Sequence, residues 1–185
     1  MTGIFGAVFD PPHVGHVALV RDARERFDFE RFVVLVVDHP GHKDVATDAD
    51  VRLALAHAAF PDEEVERDPH ARTVDMLREH GFDEPVFLVG ADQFADFLTW
   101  KEPNGVLDLA RLGVATRPGF PQERLDRVLA ALERPDRVTF FEIEPLDVSS
   151  SDIRERIARG EAIDGLVPPA VSAEIAALGL YRRDG

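Results

Sequence analysis

Apolar residues recur along the chain in short continuous runs separated by stretches with helical spacing, the rhythm of βαβ units in a parallel sheet. Ile4 to Phe9 reads as the first strand, broken at Asp10-Pro11-Pro12, after which an apolar helical pattern resumes at Val17 and ends near Phe27. Phe32 to Val37 is a continuous β-branched run that suits a strand buried on both faces. A helix over 48–59, capped by Thr47 or Asp48, leads to a short strand near Val65 and to a helix from Thr73 to His80, stopped by Gly81. Pro85 to Gly90, Leu112 to Ala115 and Val138 to Ile143 read as further strands, with a helix from about Gln122 to Leu132. Pro168 to Leu178 reads as a short helix and Leu180-Tyr181-Arg182 as a packing end. The pattern predicts one α/β domain spanning 1–185.

Composition narrows the classes of function. With 185 residues the chain can bury a substantial core without disulfides or structural metal, and it has no cysteine, so a disulfide scaffold and a thiolate nucleophile are excluded. The opening Met-Thr-Gly-Ile has no basic, then apolar, leader pattern and no apolar run approaches a membrane span, so a cytoplasmic protein is expected. The formal charge of −14 argues against nucleic acid as a partner, because phosphate backbones need a basic surface. A small anionic substrate would have to be met by a local cluster of donors, which makes each placed His, Lys and Arg informative.

The turn after the first strand is the first such cluster. Pro11 and Pro12 end the strand and preset the first helical turn, and His13 and His16 would project from one face near a helix's positive end if the helix has begun by His13. Gly15 leaves space between them. That arrangement suits a phosphate, with metal binding and an ordinary surface turn as the alternatives. The polar loop from Asp38 to Thr47 should face this turn from the carboxyl end of the second strand, bringing His42 and Lys43 within reach of a phosphate. Asp92 and Arg117 also stand just past strand ends, although Asp92 suits a helix cap and Trp100, among Phe94, Phe97 and Leu98, suits the core. Farther on, Ser149 can cap a helix with Asp152 at its third position, while Ser150 and Arg154 share a face: a hydroxyl-rich helix start with one guanidinium. Its alternative is a well-capped surface helix.

Phe9-Asp-Pro-Pro-His-Val-Gly-His16, taken with Ser149-Ser-Ser-Asp-Ile-Arg154, resembles the two signatures of the nucleotidyltransferase α/β phosphodiesterase superfamily, and within it the bacterial nicotinate mononucleotide adenylyltransferases. His42-Lys43, Arg72-Thr73, Val89-Gly-Ala-Asp92, Thr99-Trp100, Arg117-Pro-Gly119 and Gly179-Leu-Tyr-Arg182 fall in the family's order. The resemblance implies a Rossmann-like, doubly wound parallel sheet and Mg²⁺-dependent transfer of AMP from ATP to nicotinate mononucleotide, giving deamido-NAD and pyrophosphate without a covalent enzyme intermediate. It implies nucleotide contacts from Gly6, Ala7, Val8, Phe9, Asp10, His13, Gly15, His16, Gly90, Asp92, Arg117, Ser149, Ser150, Ser151 and Arg154. His16, His13, Lys43 and Arg154 would be catalytic, His16 above all. His42, Lys43, Arg72, Thr73 and Trp100 would meet the acceptor, Asp92 falling near the pyridine nucleotide as well, and Mg²⁺ would ride on the nucleotide phosphates with few protein ligands.

The chain departs from the family pattern at Ala7-Val8, where Gly-Thr or Gly-Ser is usual, at Ala71-Arg72, and at Gly41. Val8 lacks a hydroxyl for phosphate, a loss of about 0.5–3 kcal/mol where that contact is otherwise made. The rival expectations are a nicotinamide mononucleotide acceptor, transfer from CTP or ATP to another phosphate or phosphonate, and a non-catalytic nucleotide-binding protein. A homo-oligomer is left open.

Overall fold

A computed structural model describes residues 1–38 and 45–182. His42 and Lys43 lie outside the described residues. Strands β1 (Thr2–Ala7), β2 (Arg31–Val37), β3 (Glu64–Asp68), β4 (Pro85–Gly90), β5 (Arg111–Thr116) and β6 (Val138–Glu142) form one parallel sheet in the order β3-β2-β1-β4-β5-β6. Ile4 lies opposite Phe87, Leu88 opposite Gly113 and Val114 opposite Phe140. Helices cover such a sheet, so its central strands are apolar throughout: Phe32 to Val36 and Val86 to Val89 are all buried. This is the Rossmann-like order, in which the sequence of strands reverses direction beside β1 and ligands bind outside the strands' carboxyl ends.

The contacts group into two compact units. Unit one comprises Met1–Phe5, Leu19–Val33 and His70–Pro145. It includes α3 (Thr73–His80), α4 (Ala91–Ala95), α5 (Pro103–Leu109) and α6 (Gln122–Ala131). Its core is built on Val74, Met76, Leu77, Phe94, Phe97, Leu107, Leu125 and Val128. Gly81 ends α3 at φ 57°, the left-handed value that glycine adopts without a Cβ penalty. Unit two comprises Gly6–Ala18, Val34–Pro69 and Leu146–Gly185. It holds α2 (Ala49–Ala59), α7 (Ser150–Ala158), α8 (Pro169–Leu178) and the start of α1 (Val14–Arg26), with Leu55, Ile153, Val171 and Ile175 buried. No helix among the described residues is long and apolar enough to cross a membrane.

Several local expectations change. β1 stops at Ala7 rather than Phe9, because Phe9 takes φ 56°, outside any strand conformation. α1 begins at Val14, which leaves His13 as its cap instead of its first-turn residue. Asp48 occupies the cap position of α2 with no side-chain cap bond, and the Thr47 hydroxyl is engaged elsewhere. α3 begins at Thr73 as expected, with Arg72 at its cap position, and Gly90, not Asp92, precedes α4, its N–H donating to Gln93 Oε1 at 3.2 Å.

Candidate active site

The chain leaves β1 at Ala7 and enters a cavity of about 530 Å³ within unit two, lined by Ala7, Val8, Phe9, Asp10, His13, His16, Val148, Ser149, Ser150, Ser151 and Arg154. The two motifs far apart in sequence therefore form one site. Phe9 is 1% exposed and packs edge-on against His16 and Phe60, with ring centroids 5.1 and 5.6 Å apart. That packing holds a bulky residue in a left-handed conformation, a local strain that only surrounding structure can maintain. The Asp10–Pro11 peptide is cis.

The start of α1 is capped by histidine. The His13 N–H donates to His16 Nδ1 at 3.1 Å, the His16 N–H donates to His13 O at 2.9 Å, and the two rings stack at 3.7 Å. This is one half of a capping box: His16 at the third helical position reaches back to the cap's N–H, while its own N–H goes to the His13 carbonyl and not to the His13 side chain. A nitrogen that accepts carries no proton, so His16 is neutral in this geometry, with its proton on Nε2. His13 is neutral for a different reason: burial lowers its pKa to about 4, and its Nδ1 is buried with no partner among the described residues. The pair thus presents imidazole, not imidazolium. The Val14 N–H donates to Leu166 O at 3.0 Å and is taken up inside the protein. Gly15 also has a structural reason, since a Cβ there would stand 3.0 Å from His13 Nδ1 and 3.2 Å from Val148 Cγ1.

Facing it, α7 starts as its sequence predicts. Ser149 Oγ accepts from the Asp152 N–H at 3.1 Å, so the cap satisfies an otherwise orphaned donor. Ser150 Oγ donates to Pro11 O at 2.8 Å, Arg154 Nη1 donates to Asp10 O at 2.6 Å, and Arg154 Nη2 donates to Ser151 Oγ at 3.3 Å. The α7 residues on the shared face therefore clamp the carbonyls of the turn while lining the cavity. Arg154 retains further N–H donors of its five.

Beneath the turn lies a polar core that the sequence did not announce. The Asp10 carboxylate, 2% exposed, accepts from the Ala46 N–H at 2.6 Å, from Thr47 Oγ1 at 2.8 Å and from the Tyr181 hydroxyl at 2.8 Å. The loop after β2 thus reaches the turn as expected, at its end residues 46 and 47. Tyr181, read as a packing residue, instead ties the C-terminal segment to Asp10, and burial with the Asp10 charge raises its pKa so that it remains a donor. Arg52, also 2% exposed, donates from Nη1 to Val8 O at 3.0 Å and to Val37 O at 2.6 Å, from Nη2 to Asp38 O at 3.2 Å and from Nε to Thr47 O at 3.3 Å. Burial pulls its pKa down, opposed by Asp10 and Asp38. The available sequence signal was only a lone Arg within the apolar stretch of α2.

Both Asp10 oxygens are occupied by donors, and Asp10 is the only carboxylate lining the cavity among the described residues. Among the described residues this donor set offers Mg²⁺ no protein cage and suits a metal carried by substrate phosphates and water. Gly6 leads into the cavity along β1 without lining it. Arg72, Thr73, Gly90, Asp92, Trp100 and Arg117 belong to unit one. There Asp92 and Arg117 approach at 3.7 Å on an exposed surface, and Arg72 Nη1 donates to Ala71 O at 3.1 Å. Trp100 is half-buried, edge-on to Phe97 at 5.2 Å and to Phe87 at 6.3 Å.

Fold and site together define a nucleotidyltransferase of the cytidylyltransferase-like class, whose family model matches residues 4–156. A protein of Rubrobacter xylanophilus named "Probable nicotinate-nucleotide adenylyltransferase" is 36% identical, covering 98% of this chain and 92% of its own, and one of the same name from Thermomicrobium roseum is 39% identical over 97% and 91%. The chain belongs to the nicotinate-nucleotide adenylyltransferase family. The fold matches that of Plasmodium falciparum nicotinic acid mononucleotide adenylyltransferase, solved in complex with APC and with NaAD: TM-score 0.77 in both, 16% and 18% identity, 97% of this chain and 96% of that one covered.

Proposed function

We propose that the protein transfers AMP from ATP to the phosphate of nicotinate mononucleotide, releasing pyrophosphate and forming deamido-NAD for NAD biosynthesis. Family membership supports the reaction, and the observation that carries it to residues is the single cavity joining the α1 start to the α7 start. The acceptor phosphate is already a nucleophile, so the protein has to align it with the α-phosphorus and stabilise charge. A new P–O bond forms to the acceptor oxygen as the bond from the α-phosphorus to the bridging oxygen of the pyrophosphate breaks.

His16 donates from Nε2–H to the α-phosphate as charge develops there, while neutral His13 fixes the ring by stacking. Arg154, with Ser150 and Ser151, receives the β- and γ-phosphates, its position set by its bond to Asp10 O. Gly6, Ala7, Val8 and Phe9 form the backbone wall. Lys43 and His42 would add donors from the loop. The family resemblance assigns Gly90, Asp92 and Arg117 to the nucleotide and Arg72, Thr73 and Trp100 to the acceptor. Mg²⁺ carried on the ATP phosphates would supply charge neutralisation. The setting is cytoplasmic.

Pyrophosphate release with Mg²⁺, ATP or CTP, and a panel of nicotinate mononucleotide, nicotinamide mononucleotide and simple phosphonates tests the assignment. The highest kcat/KM should fall on ATP with nicotinate mononucleotide. Preference for CTP or a phosphonate would replace it, and nucleotide binding without turnover on any pair would refute an enzyme.

A further inference from the structure

Unit one contains a second cavity, of about 290 Å³, lined by Glu84, Pro85, Arg111, Arg134, Asp136 and Arg137. Pro85 and Arg111 open β4 and β5, and Arg137 immediately precedes β6, so this cavity lies at the amino ends of three adjacent parallel strands. No residue of it lines the cavity around His16.

The chemistry here is unbalanced in a specific way. The Arg134–Arg137 segment is fixed: the Glu133 N–H donates to Asn104 Oδ1 at 3.2 Å, Arg134 Nη1 donates to Asp108 Oδ1 at 3.0 Å, and the Arg137 N–H donates to Arg134 O at 3.1 Å. Arg111 and Arg137, in contrast, have no side-chain partner among the described residues, and Arg137 Nε is buried without an acceptor. In a chain of formal charge −14, guanidiniums have an excess of carboxylates to pair with, yet here two stay unpaired beside Glu84 and Asp136. A buried N–H with no acceptor bears the cost of desolvation with nothing to offset it, and such a group calls for a missing partner. An oxyanion supplies it, since guanidinium forks match phosphate oxygens. The two carboxylates in the same lining disfavour a bare anion and favour one that also presents hydroxyl donors to them. The volume exceeds what a phosphate alone would fill.

We propose that this pocket binds a small hydroxylated phosphate ester, its phosphate held by Arg111, Arg134 and Arg137 and its hydroxyls donating to Glu84 and Asp136. The site is separate from the reaction cavity and does not depend on the assignment of substrates there.

Ribose 5-phosphate is a suitable probe, titrated calorimetrically into the wild-type protein, Arg111→Gln/Arg137→Gln, and Arg154→Gln. The double variant should weaken binding roughly tenfold or more, with its adenylyl-transfer rate and Tm close to wild type, while Arg154→Gln retains this site. Arg137→Lys should also weaken it, because a point charge replaces the fork. Inorganic phosphate should bind less tightly than the ester. Equal affinity in the double variant, loss confined to Arg154→Gln, or equal affinity for inorganic phosphate would each overturn the assignment.

Discussion

Buried charge distinguishes the two units: among the described residues the buried charged side chains, Asp10, Arg52 and Asp68, all lie in unit two. In unit two, Asp10 and Arg52 are buried, and their partners are chiefly the backbone of the turn after β1 and of the loop after β2. In unit one, Arg78 pairs with Glu102 at 2.6 Å, Lys101 with Asp75 at 2.9 Å and Arg134 with Asp108 at 3.0 Å, all between exposed side chains. A buried guanidinium bonded to four carbonyls fixes where chain segments lie, whereas an exposed pair mostly exchanges one solvated contact for another. The difference explains how a turn with a left-handed Phe9 and two stacked imidazoles is held in place: its geometry is imposed from below by Asp10 and Arg52 and from the side by α7.

The strongest way to break that contrast is Arg52→Leu. Four carbonyls lose their donor and the Asp10 carboxylate loses a neighbouring positive charge, and urea denaturation should show a loss of roughly 3–5 kcal/mol. A smaller loss than an exposed-pair mutant gives would show that the buried network does not organise unit two.

Acid should act next most strongly. His13 has a folded-state pKa of about 4 against an ordinary 6.5, so between those values the unfolded chain takes up a proton that the folded chain refuses. Stability is therefore complete above pH 6.5 and falls as pH drops toward 4, by about 2–3 kcal/mol from this group. The His13→Asn variant should lose that part of the pH dependence in parallel denaturation series; an unchanged slope would mean His13 is protonated in the folded state.

Tyr181→Phe removes one of three donors to Asp10 and should cost about 1–2 kcal/mol. Its kcat should fall more than its affinity for ATP, since the loss is of placement; unaltered kcat would return Tyr181 to a packing role. Glu102→Ala, at the surface of unit one, should scarcely move the urea midpoint at physiological salt.

How far each region was legible follows from the range of its interactions. The strands could be placed because their apolar runs are local, and Gly81 could be named as the end of α3 because only the backbone at that residue decides it. The Ser149–Asp152 cap was equally plain, being a bond between residues three apart. The α1 start was only half visible: the His13–His16 spacing was read, but the helix begins one residue later and the rings face each other. Asp10 was singled out from its motif, yet its partners are 36, 37 and 171 residues away, beyond any local pattern. Arg52 and Tyr181 escaped for the same reason, since burial of a charge or a hydroxyl depends on tertiary structure. Trp100 was expected to suit the core from the aromatics beside it, and its observed contacts are with Phe97 and Phe87.

The central claim is that His16 stabilises adenylyl transfer in the cavity between the α1 and α7 starts, and pyrophosphate release by His16→Ala with Mg²⁺, ATP and nicotinate mononucleotide tests it most directly. With far-UV circular dichroism matching wild type, kcat should fall by about 10²–10⁴. A folded His16→Ala protein turning over at the wild-type rate would contradict the account.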